Sequence, residues 1–177
     1  METTIRVNVE KDSWAQLVLT NEYTGPLPAS KDGWRFNLIE YPADMNPYVY
    51  VVLPKSRSVE LMAAMIFSKQ FHAVIQKNVG NMDFVEIHKA SKFYKGLAGC
   101  LIATAVKCSI ESIDNEFKGM LFFEVVESTD EKAAKLADHY KGTYGAEEIH
   151  RVGDSRIFLA ISARQGQVLI DKYLNHG

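Results

Sequence analysis

The chain of 177 residues sets 20 Lys and Arg against 22 Asp and Glu, a formal net charge of −2, and 47% of its residues are hydrophobic. That length suits one domain with a core of its own, and the composition excludes disorder or coiled coil as an overall description. A slightly acidic chain is a poor match to a phosphate backbone, so the expectation is a protein without a nucleic-acid partner.

The uncharged stretch around the most apolar segment, residues 96–106, is too short to span a bilayer, so no membrane partner is expected. Residues 1–6 show no charged leader followed by an apolar block, and no signal peptide is expected. Cys100 and Cys108 fall in one expected helix, about 12 Å apart along its axis, too far for a disulfide. Two free thiols without an export signal point to the cytoplasm.

In chain order, residues 5–9 read as a strand and 14–19 as a short apolar piece, together an N-terminal arm of unknown role over 1–33. Pro26, Pro28 and Gly33 mark a loop. Trp34, Phe36 and Leu38 alternate with Arg35 and Asn37, the pattern of a half-buried strand. Residues 48–53 are rich in β-formers and stopped by Pro54. Residues 59–67 read as the second arm of a hairpin, with a helix as the alternative, and 82–88 as a fourth strand. Met62, Met65, Phe67 and Phe71 read as core.

The period then changes. Leu97, Leu101, Ala105 and Cys108 recur at helical spacing, so residues 96–112 form an amphipathic helix. Residues 120–126 are a nearly continuous apolar strand of the kind buried on both faces. Ser128 with Glu131 reads as a capping box, opening a helix that turns Ala133, Leu136, Ala137 and Tyr140 inward. Two short strands, 146–152 and 156–162, meet at Gly153-Asp154, and a last helix covers 165–174. The class is α/β or α+β with a mixed sheet.

The segment with the most chemistry is Lys92-Phe93-Tyr94-Lys95-Gly96-Leu97-Ala98-Gly99-Cys100-Leu101. It lies between a strand and a helix and places small residues where the helix begins. Unpaired N–H groups and the positive dipole end can meet a phosphate there, with Lys92 and Lys95 beside it. It is neither a P-loop nor a Gly-x-Gly-x-x-Gly turn. The alternative is that Gly96, Ala98 and Gly99 only permit tight helix packing. The five histidines have no metal-ligand spacing, and no Gly-x-Ser-x-Gly elbow is present.

The span from Trp34 to Ala163 resembles the GNAT superfamily of acetyl-CoA-dependent N-acetyltransferases. Gly96-x-Ala98-x-x-Leu101 matches that family's Gln/Arg-x-x-Gly-x-Gly/Ala loop, with Phe93 in the leading Gln/Arg position. Tyr140 and Gly145-Ala146 match its helix-end tyrosine and glycine, with one residue more between them. The pattern is also similar to small bacterial GNAT-like proteins, which share a Tyr-x-Gly-Val-Ala-Gly-x-Leu-type loop and a terminal Leu-Ile-x-x-Tyr, here Leu169 to Tyr173.

The resemblance implies a mixed, mostly antiparallel sheet flanked by helices, a GNAT-like domain over 34–177, and an N-acyltransferase acting on a small-molecule or peptide amine. Acetyl-CoA would be the co-substrate, and a homodimer is compatible with the family. Its pantetheine arm would lie near Glu86, Ile87 and His88, and its pyrophosphate on Tyr94, Lys95, Gly96, Leu97, Ala98 and Gly99. Tyr140 would be the acid that protonates the thiolate and Glu86 the base, with Glu124 a rival base inside an apolar strand. Two alternatives stand beside this: a GNAT-fold module that binds CoA or a partner without efficient catalysis, and an unrelated α+β domain.

Overall fold

The computed structural model describes residues 2–9, 13–36, 48–54 and 60–175. Within them the strands β1 (Glu2–Val9), β2 (Ser13–Thr20), β3 (Tyr48–Pro54), β4 (Ala63–His72) and β5 (Lys77–Ile87) come first. Then follow α1 (Leu97–Ser112), β6 (Leu121–Val126), α2 (Asp130–Tyr144), β7 (Glu147–Val152), β8 (Arg156–Ile161) and α3 (Ala163–Tyr173). The strands form one eight-stranded sheet in the order β1-β2-β3-β4-β5-β6-β8-β7. Its described pairs are antiparallel except β5 with β6. The mixed, mostly antiparallel sheet with helices is therefore present.

Strand side chains alternate between faces, and the alternation sorts the core into clusters. Val52, Met65, Val85, Phe123 and Leu159 face the three helices, meeting Leu97, Leu101, Ala133, Ala137 and Leu169 in the main cluster. Val51, Ala64, Ile66 and Phe84 face the other way, where Trp34, Tyr23 and Leu27 cover them. Helix α1 is buried on nearly every side, which is why its sequence is apolar almost all round. Ile5, Val7, Leu17 and Leu19 of the first two strands belong to the main cluster, and β2 is hydrogen-bonded to β3.

Several local expectations need correction. Trp34 to Phe36 form no strand: Trp34 is buried, while Arg35 and Phe36 are exposed, so their alternation comes from one anchored ring and not from a ladder. Leu38 and Asn37 lie outside the described residues, as does the start of the strand expected from Val59. That second hairpin arm is a strand, not a helix, and runs on to His72. Phe71 there is 61% exposed and not core, because β4 extends past the helices. Strand β5 begins at Lys77, five residues before the expected start, since its polar first half pairs with the exposed end of β4. Helix α2 is capped by Thr129, whose hydroxyl accepts from the Lys132 N–H at 3.4 Å, and not by Ser128.

The sheet is interrupted at its centre. Strand β5 meets β6 at a single pair, Asn81 with Phe122. Next on β5, the ladder to β4 skips Asp83, passing from Met82 opposite Phe67 to Phe84 opposite Ile66. A bulge of this kind bends the strand that carries it, and here it coincides with the point where β5 leaves β6. The Asp83 carboxylate secures the bend, accepting from Ser68 Oγ at 2.6 Å, from Gln70 Nε2 at 2.7 Å and from Asn81 Nδ2.

Candidate active site

Beyond Asn81 the two strands diverge, and the gap between them opens into two adjoining hollows. One, of about 660 Å³, is lined by Val85, Glu86 and Ile87 of β5, by Ala98 of α1, by Lys89 and Lys92, and by Leu136, His139, Tyr140 and Tyr144 of α2. The other, of about 490 Å³, lies between residues 82–85 of β5 and 123–127 in and after β6, again with Leu136 and Tyr140. Its lining includes Val85 and Phe123 from the helix side and Phe84 from the opposite side, so the gap passes through the sheet.

Glu86 and Tyr140 share the larger hollow from opposite directions. Glu86 pairs with Ala64 on β4 and belongs to the face away from the helices. Its Oε1 accepts the Arg35 main-chain N–H at 2.7 Å, while Oε2 is buried and has no hydrogen-bond partner among the described residues. Tyr140 projects from α2 on the helix side, its ring 5.0 Å from that of Phe123 and 5.8 Å from that of Tyr144. Burial pushes its phenol up to about 12, so the hydroxyl keeps its proton at neutral pH. Among the described residues that hydroxyl makes no hydrogen bond. Tyr144, deeper in the same aromatic row, is raised further by burial and by Tyr173 and Tyr140.

The small-residue loop divides into two roles. Gly96 is the N-cap of α1 with φ +94°, a conformation that only glycine adopts without strain. It offers no side chain to the helix start, and no acidic residue sits in the first turn. By contrast α2 and α3 are capped by Thr129 and Ser162. The free first-turn N–H groups of α1 therefore begin beside Ala98, at the wall of the larger hollow. Gly99 serves packing: a Cβ there would lie 2.4 Å from the Tyr173 ring. Leu97 is fully buried in the core, and the Lys95 N–H is committed to Asn8 O at 2.8 Å. Tyr94 packs its ring 4.2 Å from that of the exposed Phe93. His88 is turned to Trp34, ring to ring at 5.1 Å, with Nε2 3.1 Å from Asp32 O.

The structure thus brings Glu86, Ile87, Ala98 and Tyr140 to one hollow and leaves His88, Tyr94, Lys95, Gly96, Leu97 and Gly99 out of its lining. Glu124 does stand in the apolar strand β6, but its side chain is only partly buried. It is paired in bidentate fashion with Arg156, the second contact being 3.1 Å. Arg35 and Glu127, which sequence reasoning passed over, line the gap as well. Nothing in the local pattern marks them, since each looks like an ordinary surface charge. Cys100 and Cys108 are buried and free, and burial raises their thiols to about 12 and about 11. Among the described residues no helix is long and apolar enough to cross a membrane.

No family model and no curated protein matches the chain. Solved structures match it by fold. A tyrosine-to-phenylalanine mutant of the AtaT toxin, bound to the C-terminus of the antitoxin AtaR, is similar with a TM-score of 0.61 at 12% identity, over 86% of this chain and 97% of that one. AtaTR bound with acetyl-CoA has a TM-score of 0.58 at 12% identity, over 87% of this chain and 98% of that one. The KacTA–DNA complex has a TM-score of 0.52 at 14% identity, over 71% of this chain and 74% of that one. This last likeness overturns the exclusion of nucleic acid. A net charge of −2 sums the whole surface, and a chain of this fold does occur in a DNA-bound assembly. The mixed, mostly antiparallel sheet with its three helices and these likenesses agree: the chain has the fold of the GNAT acetyltransferases.

Proposed function

We propose that the chain is an acyl-CoA-dependent N-acyltransferase, with acetyl-CoA as donor and a small-molecule or peptide amine as acceptor. The observation that carries this reading is the gap: after the single pair Asn81–Phe122, the facing edges of β5 and β6 are unpaired, beside a hollow that holds Glu86, Tyr140 and the start of α1. Free main-chain N–H and C=O groups along such edges suit an amide-bearing arm such as pantetheine. The uncapped start of α1, with Lys89 and Lys92 on the same wall, suits a pyrophosphate. A hollow of about 660 Å³ is of ligand-binding size.

Bound acetyl-CoA supplies an activated thioester, and the chain's own residues supply positioning and proton transfer. The carboxylate of Glu86, with Oε2 unpaired, takes a proton from the amine, directly or through water. Tyr140, a protonated phenol on the other side of the gap, gives a proton to the departing sulfur. The test is calorimetric titration of the purified protein with acetyl-CoA, then thiol release with a panel of amines. Saturable binding with turnover supports the reading. A flat titration at millimolar acetyl-CoA refutes it, and binding without turnover of any amine favours the non-catalytic CoA-binding module.

A further inference from the structure

Arg35 crosses the gap on the face away from the helices, and it lines both hollows. On the β5 side its main-chain N–H donates to Glu86 Oε1 at 2.7 Å. On the far side its guanidinium meets Glu127 Oε1 at 3.0 Å, one residue beyond the end of β6. The Glu127 side chain is 12% exposed and that of Arg35 is 59% exposed, so the carboxylate is the more enclosed partner of the pair. The segment is also held before and after Arg35: the Trp34 ring packs 5.1 Å from His88, and Phe36 meets Phe84 edge-on at 5.0 Å.

We propose that Arg35 is a positioning residue for this site: its N–H orients Glu86, and its guanidinium, tied to Glu127 across the gap, holds that N–H in place. A carboxylate rotates freely about its last bond unless one oxygen is held. With Oε1 held by Arg35, Oε2 becomes the oxygen offered to an acceptor. The catalytic consequence rests on the acyltransferase reading, whereas the geometry does not.

Two measurements separate them. Amide exchange at Arg35, followed by NMR without ligand, should be slow in the wild type and faster in both Glu127→Gln and Glu86→Ala. Steady-state kinetics use whichever of spermidine, tyramine or a lysine tripeptide the wild type acetylates fastest. Arg35→Ala and Glu127→Gln should each lower kcat ~10- to 100-fold, the cost of a slightly misplaced catalytic group. KM for acetyl-CoA should change less than kcat, since the pair acts on the reaction through the orientation of Glu86. Arg35→Lys, which can still reach Glu127, should recover most of kcat. Should Arg35→Ala fail to fold, Glu127→Gln carries the same test. An Arg35 amide that exchanges at the free-chain rate in the wild type overturns the proposal, as does unchanged exchange in Glu127→Gln. A wild type that binds no acetyl-CoA overturns the acyltransferase reading instead, and the exchange result still decides the role of Arg35.

Discussion

Ala98→Glu should separate the stability of α1 from its use as an anion site. Ala98 is half-buried, sits second in α1 and lines the larger hollow, and no acidic residue occupies that first turn. A carboxylate there favours the helix, since a negative charge near an N-terminus contributes about 0.3–1 kcal/mol. Glutamate is a slightly poorer helix former than alanine, by a few tenths of a kcal/mol. The two nearly cancel, so unfolding free energy should stay within about 1 kcal/mol of the wild type. Ligand binding should respond differently. Two like unit charges at 4 Å repel by about 4 kcal/mol at an effective dielectric of 20, and by half that at 8 Å. A pyrophosphate at the start of α1 would therefore lose roughly 2–4 kcal/mol, or about 30- to 700-fold in affinity. The assays are acetyl-CoA calorimetry and thermal unfolding on the same preparations, with Ala98→Ser as the small polar control. A folded Ala98→Glu protein that binds acetyl-CoA as tightly as the wild type would refute the reasoning, because no anion could then sit at that helix start.

Tyr140→Phe should leave acetyl-CoA affinity and stability nearly unchanged, because its hydroxyl makes no hydrogen bond among the described residues. Turnover should fall ~10²- to 10⁴-fold if the phenol is the acid, and a fully active mutant removes it from the mechanism. Gly99→Ala drives a Cβ to 2.4 Å from the Tyr173 ring and should destabilise the fold by about 1–3 kcal/mol, read as a lower denaturant midpoint. The Arg151 and Lys141 side chains hold Glu148 down at about 2, below its ordinary 4.5. A depressed carboxyl stabilises above its unfolded value, and that contribution is lost as pH falls from about 4.5 to about 2. Glu148→Gln should therefore show a smaller drop in melting temperature across that window than the wild type, with equal drops counting against the pairing.

Much of the architecture was legible where burial is one-sided and regular. The 3.6-residue period of Leu97, Leu101, Ala105 and Cys108 sits on the observed α1, and the apolar run 121–126 became β6. The misreadings have local causes. Trp34 and Phe36 look like one face of a strand, yet one is anchored in the smaller core and the other lies against Phe84. The first half of β5 looks too polar for a strand because of Lys77, Asn78 and Asn81, yet it pairs with β4 and buries Val79 against Phe122 and Ala160. At the site, Glu86 and Tyr140 were nameable only through the resemblance to the GNAT family, and both line the hollow. The role of Gly99 was not readable, because small residues at a helix start serve either a ligand or a neighbouring ring. Only the position of Tyr173 distinguishes the two.

The amino-acid sequence by itself determined the helices and most of the strands, and which side of each is apolar, since those are properties of residues a few positions apart. The tertiary structure alone decided that β5 should bend at Asp83 and part from β6 after one pair, and so make a hollow at all. It also decided that Arg35 should reach Glu86, 51 residues away, and span the gap to Glu127. Hydrophobic periodicity says that a face is buried but not against what. A gap between two strands exists only in the relative direction of segments that lie far apart in the chain, here β5 and β6 with α1 between them.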